Sequence, residues 1–150
     1  MTAQEIVEEL MGELTLLHFS SKAYLTSVSP KFQGTAQAGE ERSSPDYRKP
    51  AFSNWYVKSD NSFIEPIFWN AYVYTALIDS SKLNDQSVDY LSNKDAKRAG
   101  FSGVYYNLSR GDEQVRLFVP VRVSLAGKVE GVVNKRYGQI TGRNIFRYLV

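Results

Sequence analysis

FIEPIFWNAYVYTALI, Phe63 to Ile78, is the most apolar stretch of the chain; only Glu65, Pro66, Asn70 and Thr75 fall outside the apolar and aromatic set. A membrane helix needs about 18 or more predominantly apolar residues. This run is shorter and carries Glu65 and Pro66, so it does not read as a span. Ser62 stands three residues before Glu65, the spacing of a capping box, and Pro66 falls in a first turn, where a missing N–H costs little. Ile64, Ile67, Phe68, Ala71, Thr75 and Ile78 form one stripe at helical spacing, and Trp69, Tyr72, Val73, Ala76 and Leu77 cover much of the rest. The spacing predicts a buried helix over about residues 63–79. Its aromatic and β-branched content makes a strand the alternative.

Upstream, Thr2 and Glu5 repeat the capping-box spacing, and Ile6, Val7, Leu10, Met11, Leu14 and Leu17 recur at three and four. This predicts an amphipathic helix over about residues 3–18, with Glu5, Glu8 and Glu9 near its positive end. Residues 29–51 hold Pro30, Pro45 and Pro50 around a Gly/Ser-rich tract and read as an extended loop or arm. Phe52 to Asp60 reads as a short strand. Asn84 to Gly100 is polar and predicts one or two short helices stopped by Gly100.

The last third changes period. Val115, Leu117, Val119, Val121, Val123 and Leu125 alternate with Arg116, Phe118, Pro120, Arg122, Ser124 and Ala126, the pattern of a half-buried strand. Pro120 lacks a ladder donor and requires an edge or a bulge there. Residues 103–109 precede this strand across Arg110–Glu113, residues 128–137 follow it across Ala126-Gly127, and residues 144–150 offer a fourth strand. The expected fold is α+β. It is a single domain over residues 1–150, with N-terminal helices packed on a C-terminal four-stranded antiparallel meander.

Composition narrows the chemistry. The chain has 150 residues, about one domain, and no cysteine, which removes disulfides, thiol nucleophiles and cysteine zinc sites. The acidic N-terminus has no charged region ahead of an apolar core, so no signal or transit peptide is expected; the expectation is a soluble chain in the cytoplasm or in an assembled particle. Net charge is +2, but residues 97–150 carry ten bases against three acids, +7, and residues 1–96 carry eight against thirteen, −5. Such asymmetry suits an anionic partner or complementary ends of neighbouring copies.

No catalytic, cofactor or metal set emerges. His18 is the single histidine, at the end of the predicted first helix, and reads as a boundary or core residue. Asp112 and Glu113 are adjacent and point apart on extended backbone. Glu65 lies in apolar sequence, where its cap role explains it. Gly138 to Arg143, GQITGR, lacks the lysine and helix of a phosphate loop and reads as a turn. Arg110-Gly111-Asp112 is a common tripeptide, and Asn107-Leu108-Ser109 matches a glycosylation pattern without a sign of secretion.

The element order resembles two architectures. One is the cone of nuclear transport factor-like domains, which include secretion components and small lyases and isomerases. The other is the small α+β ring of tailed-phage neck and tail-terminator proteins. This resemblance of layout implies either a ligand pocket or an assembly role and assigns no residue. The main expectation is a non-enzymatic assembly protein whose partners are copies of itself or other proteins of a particle. Trp55, Tyr56, Trp69 and Tyr72 supply contact surface, and Arg116, Arg122, Arg143 and Arg147 supply charge. Two alternatives stand beside it. One is a cone-type domain holding a small ligand near Glu65, Trp69 and Tyr72. The other is a single-stranded nucleic-acid binder, with Arg116 and Arg122 on one strand face among Tyr106, Phe118 and Tyr148.

Overall fold

A computed structural model describes residues 12–30, 52–64, 71–108, 112–129 and 140–150. Ten elements precede the C-terminus: β1 (Glu13–Ser20), β2 (Ser27–Val28), β3 (Ser53–Val57), β4 (Tyr72–Asp79), β5 (Leu83–Asp85), α1 (Asn93–Arg98), β6 (Gly103–Leu108), β7 (Asp112–Leu117), β8 (Val121–Arg122) and β9 (Ser124–Lys128). A 3₁₀ turn spans Asn144–Tyr148. The main sheet has seven strands in the order β5-β6-β7-β3-β1-β4-β9, and β2 and β8 form a separate two-stranded sheet. All pairs in the main sheet are antiparallel except β5 with β6, whose parallel pairing α1 spans.

The α+β plan of helices on a meander is therefore overturned: the fold is mostly β, with one short helix among the described residues. The opening stretch supplies the clearest correction. Tyr72–Asp79 is an inner strand, paired along its whole length with β1 and at its start with β9. Its first half is covered on both faces: Tyr74 and Ala76, with Ile78 further on, are buried on one side and Val73 on the other, whose face opens at Leu77. A strand buried on both faces loses the alternation that marks a strand in sequence. β-branched and aromatic residues then decide in favour of the sheet. The same reason corrects the predicted first helix, because Leu16 and Leu17 are both fully buried on opposite faces of β1. Residues 1–11 of that prediction lie outside the described residues.

Three apolar clusters hold the sheet. On one face Leu16, Trp55, Val57, Ala76, Ile78, Val115 and Leu117 pack under Val28, Val121 and Val123 of the small sheet. On the other, Leu17, Phe19 and Val73 pack under Ile140 and Ile145. Beside them Phe52, Val104 and Phe118 pack under Ala96 of α1. The predicted long strand from Val115 is split. β7 ends at Leu117, Val119-Pro120 is exposed, and the chain re-enters as β8 in the small sheet. Ala126-Gly127 is not a hairpin but the body of β9. Residues 144–150 form a 3₁₀ turn and a single bridge, Val129 with Leu149, where a strand was expected.

Local signals hold where they are local. Ser92 caps α1 by accepting from the Asp95 amide at 3.1 Å, and Gly100, at φ 90°, ends it. β6 and β7 pair as expected from Gly103–Leu117 to Leu108–Asp112. Ser62 is a cap of a different kind. Its Oγ accepts from the Val57 amide at 3.1 Å and donates to the Glu113 carbonyl at 2.8 Å, closing a turn against β7. Glu65, Pro66 and Trp69 lie outside the described residues, as does almost all of the 29–51 arm.

Candidate interface at the open sheet edge

The two edges of the main sheet differ. The β5 edge is three residues long and is followed by a turn whose Gln86 amide bonds back to the Tyr105 carbonyl at 2.9 Å. The β9 edge is longer and, among the described residues, largely uncovered. Ser124, Leu125 and Ala126 are exposed, and among the described residues no strand pairs with the outer side of Ser124–Gly127. Leu149 and Val150 lie against Gly127, and Lys128 exchanges two backbone bonds with Val150 at 3.1 and 3.0 Å. β4 also outruns β9, since their pairing stops at Thr75–Ser124 and Ala76–Asp79 continue beyond it.

Edges of this kind are usually guarded by charge, proline or a bulge. Ser124–Gly127 carries no charge and no proline. It does carry a bulge: Val73 pairs with Gly127 and Tyr74 with Leu125, so Ala126 is the extra residue. The bulge bends the strand and limits any added ladder to a few residues. Side chains flank this short edge on both faces. Leu125 is 51% exposed on the face of Tyr74, and Leu77 of β4 is 54% exposed on the opposite face.

Next to the edge the chain crosses from the small sheet to the main one. Val123 donates to the Thr26 carbonyl at 3.0 Å, and Ser124 already pairs with β4. The crossing opens a cleft of about 560 Å³ lined by Thr26, Ser27, Arg122, Val123 and Ser124. One guanidinium and three hydroxyls face one apolar side chain there, a lining made of hydrogen-bond donors. Arg122 makes no ion pair among the described residues.

The eight residues singled out in the sequence scatter. Trp55 is buried in the core, donating to Ser53 Oγ at 2.8 Å, and is unavailable for contact. Tyr56 is half-buried against Phe19, edge to face at 5.5 Å. Arg116 and Arg122 lie on different sheets, so the expected shared basic face does not exist. Phe118, expected to interleave with them, is buried beneath α1. Arg143 pairs with Asp60 at 2.5 Å on the surface, a contact worth little. Arg147 is exposed on the C-terminal turn. Trp69 lies outside the described residues. Arg122 and Tyr72 lie at opposite ends of β9: Arg122 precedes Ser124, and Tyr72 pairs with Lys128, whose Nζ stands 5.4 Å from its ring centroid. Leu77, Leu125, Thr26, Ser27 and Ser124 were not legible as site residues. An edge position depends on strand order, which no local pattern encodes.

Two polar clusters elsewhere are built for structure. His18 on β1 donates from Nδ1 to the Asn54 carbonyl at 3.0 Å and packs on Trp55 at 5.1 Å. Burial holds its pKa below the ordinary value, with the Asn54 bond opposing in part. The Glu113 carboxylate accepts from Ser59 Oγ at 2.8 Å and Tyr105 OH at 2.6 Å. Burial first, and then Glu113, pushes the Tyr105 phenol far up. Among the described residues no group of three or more metal-ligating side chains occurs, and no helix is long and apolar enough to cross a membrane. No family model, curated protein or solved structure matches the chain.

Proposed function

We propose that this chain is an assembly protein that associates with copies of itself through the β9 edge. The observation that carries the reading is the uncharged Ser124–Gly127 edge of β9, unpaired on its outer side among the described residues and flanked by the half-exposed Leu77 and Leu125. Singly exposed apolar side chains need no explanation, but two on opposite faces of one open edge form a clamp for an added strand. A second copy suits the site because an antiparallel pairing of β9 with itself is isologous, and two-fold dimers are the commonest assembly. Arg122 in the adjacent cleft would take a carboxylate from the acidic first 96 residues of the neighbour, in keeping with the opposite charge of the two halves.

Sedimentation velocity over a hundredfold range of concentration tests this. The wild type is expected to shift from monomer to a larger species. Leu125→Lys should stay monomeric at every concentration, with its thermal midpoint unchanged because Leu125 is half-exposed. A wild type that remains monomeric throughout would remove the reading.

A further inference from the structure

We propose that Tyr24 anchors the self-association at the β9 edge by packing on the second copy, an inference that rests on that reading of the edge. Tyr24 is 95% exposed, the most exposed large apolar side chain among the described residues. It lies at the crown of a short loop, Lys22–Leu25, whose two ends are held by one side chain. Tyr74 OH donates to the Lys22 carbonyl at 2.5 Å and accepts from the Leu25 amide at 3.2 Å. The Lys22 amide also bonds to Ser20 Oγ at 3.1 Å, and Leu25 packs on the core. Tyr74 itself is fully buried on β4, so the clamp is part of the core. A buried tyrosine thus fixes the loop that presents an exposed one.

Two contacts place this loop beside the edge. Tyr74 is the cross-strand partner of Leu125 and shares its face of the sheet. Thr26, two residues after Tyr24, accepts at 3.0 Å from the amide of Val123, two residues before Leu125. The loop therefore stands over the Tyr74–Leu125 pair, on the face where Leu125 is exposed, and continues into the cleft of Thr26, Ser27 and Arg122. A strand added to β9 runs alongside it. Tyrosine offers a large, stiff, amphipathic contact area at low entropy cost, and such side chains recur as interface anchors. The Tyr74 clamp orders the loop before the partner arrives, which lowers the cost of binding further. In an isologous pairing each copy contributes one Tyr24, so one substitution removes two anchors.

The test reads the dimer dissociation constant of the full chain by sedimentation velocity. Tyr24→Ala should raise it by about tenfold or more. Its thermal midpoint should not move, because the exposed side chain supports nothing in its own chain. Tyr74→Phe leaves Tyr24 in place and releases both ends of the loop. It should weaken association in the wild type and add nothing in Tyr24→Ala, a difference that a general loss of stability would not produce. A wild-type dissociation constant in Tyr24→Ala, or an equal effect of Tyr74→Phe in both backgrounds, would overturn the proposal. If Leu125→Lys still abolishes association in that case, the β9 edge stands without the anchor. A wild type that stays monomeric would remove both.

Discussion

His18 shows what one residue's surroundings dictate. Burial disfavours its charged form in the folded chain, and the Nδ1 bond to the Asn54 carbonyl opposes this only in part. The unfolded chain binds the proton near the ordinary value of 6.5, and the folded chain binds it only at lower pH. The contribution is therefore complete above that value and is lost as pH falls toward the depressed folded value. Urea midpoints should decline as pH drops below about 6.5, and His18→Gln should flatten that decline in the same window. Tyr105→Phe removes one bond to the Glu113 carboxylate and should cost about 1 kcal/mol, read as a lower urea midpoint at unchanged slope. Trp55→Ala leaves a large void between the sheet and its cover and should cost about 3–5 kcal/mol, read as a lower urea midpoint. At this scale the sequence was partly legible. His18 reads as a boundary or core residue, and it sits half-buried on β1 against Trp55. Trp55 reads as contact surface, because an aromatic side chain suits a surface as well as a core, and its neighbours Leu16, Val115 and Leu117 place it in the core instead.

Among the elements, the strands β1 and β4 were hidden for one physical reason. Each lies inside the sheet and is covered on both faces over part of its length, so apolar residues fall at every spacing and a helical stripe can be drawn through them. β6, by contrast, was legible, since Val104 is buried while Tyr105, Tyr106 and Asn107 keep exposed surface. α1 was legible through Ser92 and Gly100, whose chemistry is local. The C-terminal segment is held by a contact no pattern announces. Gly142 donates to the Ser62 carbonyl at 2.7 Å, and an added Cβ would run into the Val57 carbonyl. Thr141 and Asn144 exchange side-chain to backbone bonds at 2.8 and 3.1 Å, which fixes the turn that follows. Gly142→Ala should lift residues 140–150 from the sheet, exposing Leu17 and Val73. The expected cost is about 2–4 kcal/mol, of the order of other backbone clashes and lost core contacts, with faster amide exchange in β1 and β4.

For the molecule as a whole, strand order carries the functional argument. Placing β9 outermost turns a short neutral segment, which the sequence suggests is a strand end and a hairpin, into an open edge flanked by Leu77 and Leu125. The same order separates Arg116 from Arg122, which on a single continuous strand would have formed one basic face. Pro120 marks the break between them, and its missing donor explains why the ladder stops there. The charge imbalance between the halves was legible from composition, but where it would act was not. The edge claim is tested most directly by backbone amide exchange in Ser124–Lys128, measured at low and high protein concentration. Slower exchange across this segment at high concentration, lost in Leu125→Lys, is the predicted result. Exchange there that stays fast while the protein self-associates would place the contact elsewhere and contradict the account.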